Sequence, residues 1–277
     1  MCYATGSYFF RWNVIFPCSK GFLGGSGIAE GFHGFRVSIV PIRPAIEKYR
    51  MKSEDFIVEF YMLQTETFMS TLEKIAYFQG RRDEVPNQVL AKELAGEKDK
   101  EGIKEIAKNL ENGNKNIRSD CLKVLYEIGY LDPSLIAGYV DEFLKLLKAK
   151  DNRLVWGAMI GLASIASQRP KKVWASIDDV IRVTDSGTVI SRMWGIRTLA
   201  QVAAADPIYR RKIFPLLIHQ LRTCIPRDVP THSESILCTV DHETKGEFLD
   251  VMESRCPELT SAQLVRYKKV LKQLKHL

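Results

Sequence analysis

Apolar residues recur along this chain with a fixed period of 37 residues, marked by prolines at 133, 170 and 207. Ahead of each proline stand Leu125, Leu162 and Leu199, with Ile128, Ile165 and Val202 three residues later. Leu122, Met159 and Ile196 lie three residues earlier, each next to a small residue: Cys121, Ala158 or Gly195. Positions i, i+1, i+4 and i+7 share one face of a helix. A second set follows the same rule: Ile103, Val140, Ile177 and Phe214; Ile106, Phe143, Val180 and Leu217; Ala107, Leu144, Ile181 and Ile218; Leu110, Leu147, Thr184 and Leu221. A period held over four units predicts a helical solenoid.

Each unit is read as two antiparallel helices, A then B. The A-to-B loops "ENGNKN", "KAKDN" and "TDSGT" carry the Asn, Asp, Gly and Ser that turns and N-caps use. The B-to-A junctions carry the prolines. Proline disfavours helix at the residue before it and fits the first turn after it. Each is therefore expected to end one B helix and open the next A helix. The fourth unit departs: its A helix keeps the register with a kink expected at Pro215, two prolines stand in "IPRDVPTHSE", and helix B is expected in "ESILCTVDHE". Ile236 and Val240 then fall on core positions. A last, basic helix, "TSAQLVRYKKVLKQLKHL", is expected to start at a Thr260 or Ser261 N-cap and to cap the stack.

The two-helix unit, its apolar positions and the Asp132-Pro133 and Asp206-Pro207 turns resemble HEAT repeats, within the wider group that includes armadillo repeats. The resemblance covers roughly residues 98–277 and implies an all-α, right-handed α-α superhelix of about four to five repeats. Units fall at about 98–132, 133–169, 170–206 and 207–243, with a C-terminal cap at 244–277, inside a repeat domain of 69–277. The family often has a basic residue within helix B. Arg118 and Arg192 correspond here, whereas Val155 stands between them.

Residues 1–68 have another character. "GFLGGSGIAEGFHGF" has neither a helical nor a strand period. "MSTLEKIAYFQGRRDE" reads as a start at Met69 with a Ser70–Glu73 capping box. Residues 1–68 are thus read as an upstream extension of the gene model, or else as a poorly ordered arm.

The chain's 45% hydrophobic and 26% charged residues fit a soluble globular protein, and its net charge of +7 allows an acidic partner without requiring one. No apolar run is long enough to span a membrane. The six cysteines form no C-x-x-C pair, which points to reduced thiols in a cytoplasm, with Cys121 packed in the core. No metal or cofactor motif and no H-E-x-x-H, G-x-S-x-G or P-loop occurs, so no catalytic residue is assigned. His232 and His242, in "THSESILCTVDHE", read as a solvated helix end.

That leaves the surface. Helix B lines the concave face in such solenoids, and this face is commonly the binding face. The register exposes Ser119, Trp156 and Met193; Asp120, Gly157 and Trp194; Lys123, Ile160 and Arg197; and Glu127, Ser164 and Gln201. Trp156, Trp194 and Arg197, with Arg153 and Arg192 at the helix starts, form the candidate partner site, since Trp and Arg dominate binding hot spots. The plainer reading is that both rings cover seams between repeats, with Gly157 leaving room for Trp194. The expected function is a non-catalytic scaffold for a protein or peptide. The alternative is nucleic-acid binding, including DNA glycosylases for alkylated bases that are built from similar repeats. No motif here carries a catalytic role over to that alternative. The lysine-rich face of the last helix reads as a solvated face.

Overall fold

The computed structural model describes residues 70–275; the expectations for residues 1–68 lie outside the described residues. Twelve α-helices and no strand occur among the described residues: α1 (Val85–Glu97), α2 (Lys100–Lys108), α3 (Lys115–Leu131), α4 (Val140–Leu146), α5 (Asn152–Ile165), α6 (Pro170–Ala175), α7 (Ile177–Ser186), α8 (Val189–Ala205), α9 (Pro207–Thr223), α10 (Val229–Ile236), α11 (Lys245–Arg255) and α12 (Ser261–Leu274). The B helices α1, α3, α5, α8, α10 and α12 form one row, each packed on the next. The A helices form the second row, with α2 against α3, α4 against α5, α7 against α8 and α9 against α8 and α10.

The repeat register predicts this core. Every position in the four A-helix sets is buried except Ile181, which is partly buried. All twelve B-helix positions in the first three units are buried too. Burying one such Leu, Ile or Phe contributes about 1.5–3 kcal/mol, and the register places at least one in every turn that faces a neighbour. The small position sets how closely helices approach. A Cβ on Gly195 would lie 2.1 Å from Thr184 Oγ1, on the facing A helix.

The last carbonyls of an α-helix lack intrahelical donors and carry partial negative charge. Arginines supply donors at four A-helix ends. Arg118 Nε donates to Leu110 O at 2.9 Å, and Arg192 donates to Asp185 O at 3.2 Å. The second unit has Val155 where these arginines stand, and there Arg182 of the next unit reaches Leu147 O at 3.5 Å. In the fourth, the buried Arg255 donates to Leu221 O, Arg222 O and Cys224 O. Along the A row, Glu111–Lys145, Asp141–Lys172 and Asp178–Lys212 pairs join successive units. All three are exposed, so solvent screening leaves them little weight in stability.

Pro170 and Pro207 open α6 and α9, and Asp206 caps α9 by accepting from Ile208 N at 2.7 Å. Pro133 differs from expectation: it opens a 3-10 turn, Pro133–Leu135, and α4 starts only at Val140. Asp132 spends its carboxylate on Ser134 N, and no side chain caps the next turn. Helix B of the fourth unit also shifts, running from Val229 to Ile236 because Pro230 sits in its first turn, where proline fits. Ile236 and Val240 are buried as expected. Pro215 lies inside α9 on its exposed side. The Ser70–Glu73 capping box does not form: Ser70 caps a 3-10 turn, Thr71–Lys74, and donates its hydroxyl to Glu105. Thr260 caps α12 in a complete capping box with Gln263.

His232 corrects the reading of a solvated helix end. It occupies the register position of Cys121, Ala158 and Gly195, and it is only 2% exposed. Its Nδ1 has no hydrogen-bond partner. Burial pulls its pKa down to about 4; Asp228 opposes this and Arg192 adds to it. The imidazole is therefore neutral in the folded chain, whereas the unfolded chain protonates it near pH 6.5. The stability this provides is complete above pH 6.5 and is lost as pH falls towards 4, to a total of about 3 kcal/mol. Urea unfolding of the wild type should show a loss of about 1–2 kcal/mol between pH 7 and pH 5, and His232→Leu should remove most of it. An unchanged pH dependence in that variant would count against the buried neutral ring.

Candidate functional site: an aromatic ridge on the B helices

The N-caps of α3, α5 and α8 fix where the B-row side chains project. Asn114 accepts from Asn116 N, Asp151 from Arg153 N and Thr188 from Ser191 N. Tyr126 and Tyr130 lie four residues apart on α3, hence on one face, with ring centroids 5.9 Å apart. Trp156 of α5 meets Tyr126 at 6.4 Å. Trp194 of α8 meets Tyr130 at 5.9 Å with the planes 34° apart. The four rings form a continuous ridge, Trp156–Tyr126–Tyr130–Trp194, over three B helices, with Tyr126 buried at its base, the two tryptophans partly buried and Tyr130 exposed. Helices α3 and α8 are not neighbours, so the Tyr130–Trp194 contact passes over α5. Arg197 closes the ridge, its guanidinium carbon 5.5 Å from the Trp194 ring centre.

Charge is organised at the other end. Glu84, just before α1, accepts from Lys123 Nζ at 2.8 Å and lies 3.6 Å from Arg153 of α5, again two B helices away. Lys123 also pairs with Glu127 at 2.7 Å and sits 4.9 Å from the Tyr126 ring centre. Burial works to lower the Lys123 pKa, but its hydrogen bonds to Glu127, Glu84 and Tyr126 outweigh it and hold the ammonium above its ordinary value. Burial pushes the Tyr130 phenol up to about 12 and raises Tyr126 as well. Neither phenol is an acid or base at neutral pH. A polar cleft of about 350 Å³ beside Glu84 and Arg153 is lined by Tyr77, Arg81, Arg82, Asp83 and Asp120. Among the described residues no group of His, Cys, Asp and Glu is placed to hold a metal ion, and no helix is long and apolar enough to cross a membrane.

The candidate residues therefore divide. Trp156 and Trp194 are partly buried in one ridge, and Arg197 is exposed on it. Arg153 is exposed but tied to Glu84, and Arg192 is tied to the Asp185 carbonyl. Four positions expected on the surface are buried: Ser119, Lys123, Gly157 and Ile160. Gly157 does not make room for Trp194. A Cβ there would meet Leu122 at 2.7 Å, so the vacancy admits the preceding unit's side chain. Tyr126, Tyr130, Glu84 and Glu127 were missed as site residues. A register compares equal positions, whereas these contacts join unequal ones; the i, i+4 spacing of the two tyrosines was the available signal.

The two ends of the charge network should respond differently to mutation. Lys123→Ala leaves Glu84 and Glu127 facing each other near a buried ring, and should cost about 2–3 kcal/mol. Arg153→Ala removes an exposed partner and should cost less than about 0.5 kcal/mol. Urea unfolding of both variants makes the comparison; equal effects would contradict the network.

No protein-family model and no curated protein matches the chain. Solved structures do. A designed armadillo repeat protein in complex with the peptide (KR)4 aligns with TM-score 0.53 and 14% identity, over 70% of this chain and 95% of its own. An engineered protein aligns with TM-score 0.53 and 17% identity, over 75% and 98%. Computationally designed armadillo repeat proteins for modular peptide recognition align with TM-score 0.53 and 13% identity, over 73% and 97%. With its two rows of stacked helices and 37-residue period, the chain has the fold of an armadillo/HEAT-type helical repeat protein.

Proposed function

We propose that the chain is a non-catalytic repeat scaffold that binds a protein or peptide partner on the concave face lined by its B helices. One observation carries this reading: a ridge of four aromatic rings, edged by an exposed arginine, crosses three B helices. Partly exposed Trp, Tyr and Arg are the side chains that contribute most at interfaces. Two contacts that skip a helix, Glu84–Arg153 and Tyr130–Trp194, support a B row bent inward. The designed repeat proteins with this fold include one holding a peptide, in accord with the reading. The four described cysteines are unpaired thiols, in keeping with a cytoplasmic setting. The nucleic-acid alternative fits less well, because Lys123 and Arg153 on the ridge are matched by Glu84 and Glu127.

Trp194→Ala tests the proposal. The ring is only partly buried, so the variant should keep its helical circular dichroism and lose about 1–2 kcal/mol of stability. It should lose most of its capture of partner proteins from the native source. Full unfolding would make Trp194 core; intact capture would remove the ridge from the binding face. Duplex DNA titrated at rising salt checks the alternative, since phosphate contacts make affinity fall steeply with salt. Weak or absent binding at low salt is expected.

A further inference from the structure

The ridge already holds cations of its own. The Arg197 guanidinium lies 5.5 Å from the Trp194 ring centre and Lys123 Nζ lies 4.9 Å from that of Tyr126. Attraction between a cation and a ring face acts within about 6 Å, so the ring faces these two cations occupy are closed to a partner's cation. The two resident charges differ in how they are balanced. Lys123 is buried between Glu84 and Glu127. Arg197 is exposed, and among the described residues no carboxylate lies within ion-pair distance of it. Arg192, earlier on α8, donates to a neutral carbonyl and likewise has no carboxylate partner among the described residues. Beside Arg197 stands the partly buried Trp194, which meets the exposed Tyr130.

We infer that this face takes an acidic peptide segment: a carboxylate pairs with Arg197 while a neighbouring apolar or aromatic side chain packs on Trp194 and Tyr130. The inference rests on the scaffold reading above and names the sign of the partner. A guanidinium presents a planar fork that matches a carboxylate with two parallel hydrogen bonds, and the cation–ring contact with Trp194 holds Arg197 beside the ring before the partner arrives. The sign is opposite to that of the (KR)4 peptide held by the designed armadillo protein. A nucleic-acid strand is a poorer match, since its unbroken row of phosphates would also meet Glu84, Asp120 and Glu127. A single side-chain carboxylate needs only the arginine end of the ridge.

The test is selection of short random peptides, displayed on phage, against three forms of the full chain: wild type, Trp194→Ala and Arg197→Glu. Arg197 is exposed, so its variant should keep the wild-type circular dichroism and melting temperature. The wild type should enrich Asp and Glu over Lys and Arg. The selected acidic peptides should bind Arg197→Glu about tenfold more weakly, as expected for loss of one charge-assisted hydrogen-bonded pair. Arg197→Glu should itself select peptides richer in Lys and Arg. Basic peptides selected by the wild type and lost in Trp194→Ala would overturn the charge assignment and leave the scaffold reading standing. No enrichment over Trp194→Ala would overturn both. A single-stranded DNA oligonucleotide that displaces the selected peptides and still binds Arg197→Glu would overturn the inference in favour of nucleic acid.

Discussion

The close approach of successive B helices is the constraint on which the rest of the structure depends. No helix pair here can bury its apolar face alone, so each must press against the next, and small residues set the distance: Gly157 between successive B helices, Gly195 between a B helix and the A helix of its own unit. Gly195 faces Thr184 and Gly157 faces Leu122, each at a separation that a Cβ would violate. Close approach in the B row brings side chains together across more than one helix. Glu84 reaches Arg153 over α3, and Tyr130 reaches Trp194 over α5. The aromatic ridge is thus a consequence of tight stacking as much as a surface laid upon it.

The A row is tied differently. Its helices end on carbonyls that need donors, and arginines supply them from either of two places. Arg118 and Arg192 act within their own unit, while Arg182 and Arg255 reach back from the next. The loss of the basic residue at Val155 is therefore compensated, and the tie becomes a link between units. Arg192, a surface anchor by sequence, serves this purpose, which leaves Arg197 as the unpaired arginine of the ridge.

Much of the fold was legible because burial obeys a period. The register fixed which residues face inward over four units, and the helices pack in the order it implies. What it could not give was whatever depends on unequal positions. Tyr126 and Trp156, or Glu84 and Arg153, do not align under a 37-residue shift, so their contacts appear only once the helices are placed. Local rules also competed. Pro230 started a helix rather than filling a loop, Pro133 opened a 3-10 turn rather than an α-helix, and His232 went into the core where the preceding units keep a small residue. Of the candidate site, the two tryptophans and Arg197 were visible as exposed residue types. The tyrosines that join them and the carboxylates that neutralise Lys123 were not.

The ridge depends most on rings two B helices apart touching across α5. A double-mutant cycle on Tyr130 and Trp194, read by urea unfolding, measures that contact directly. A coupling of about 0.5–1.5 kcal/mol between Tyr130→Ala and Trp194→Ala is expected, as for other aromatic pairs in contact. Strictly additive effects would mean that the rings do not meet, and that the ridge across three helices does not exist.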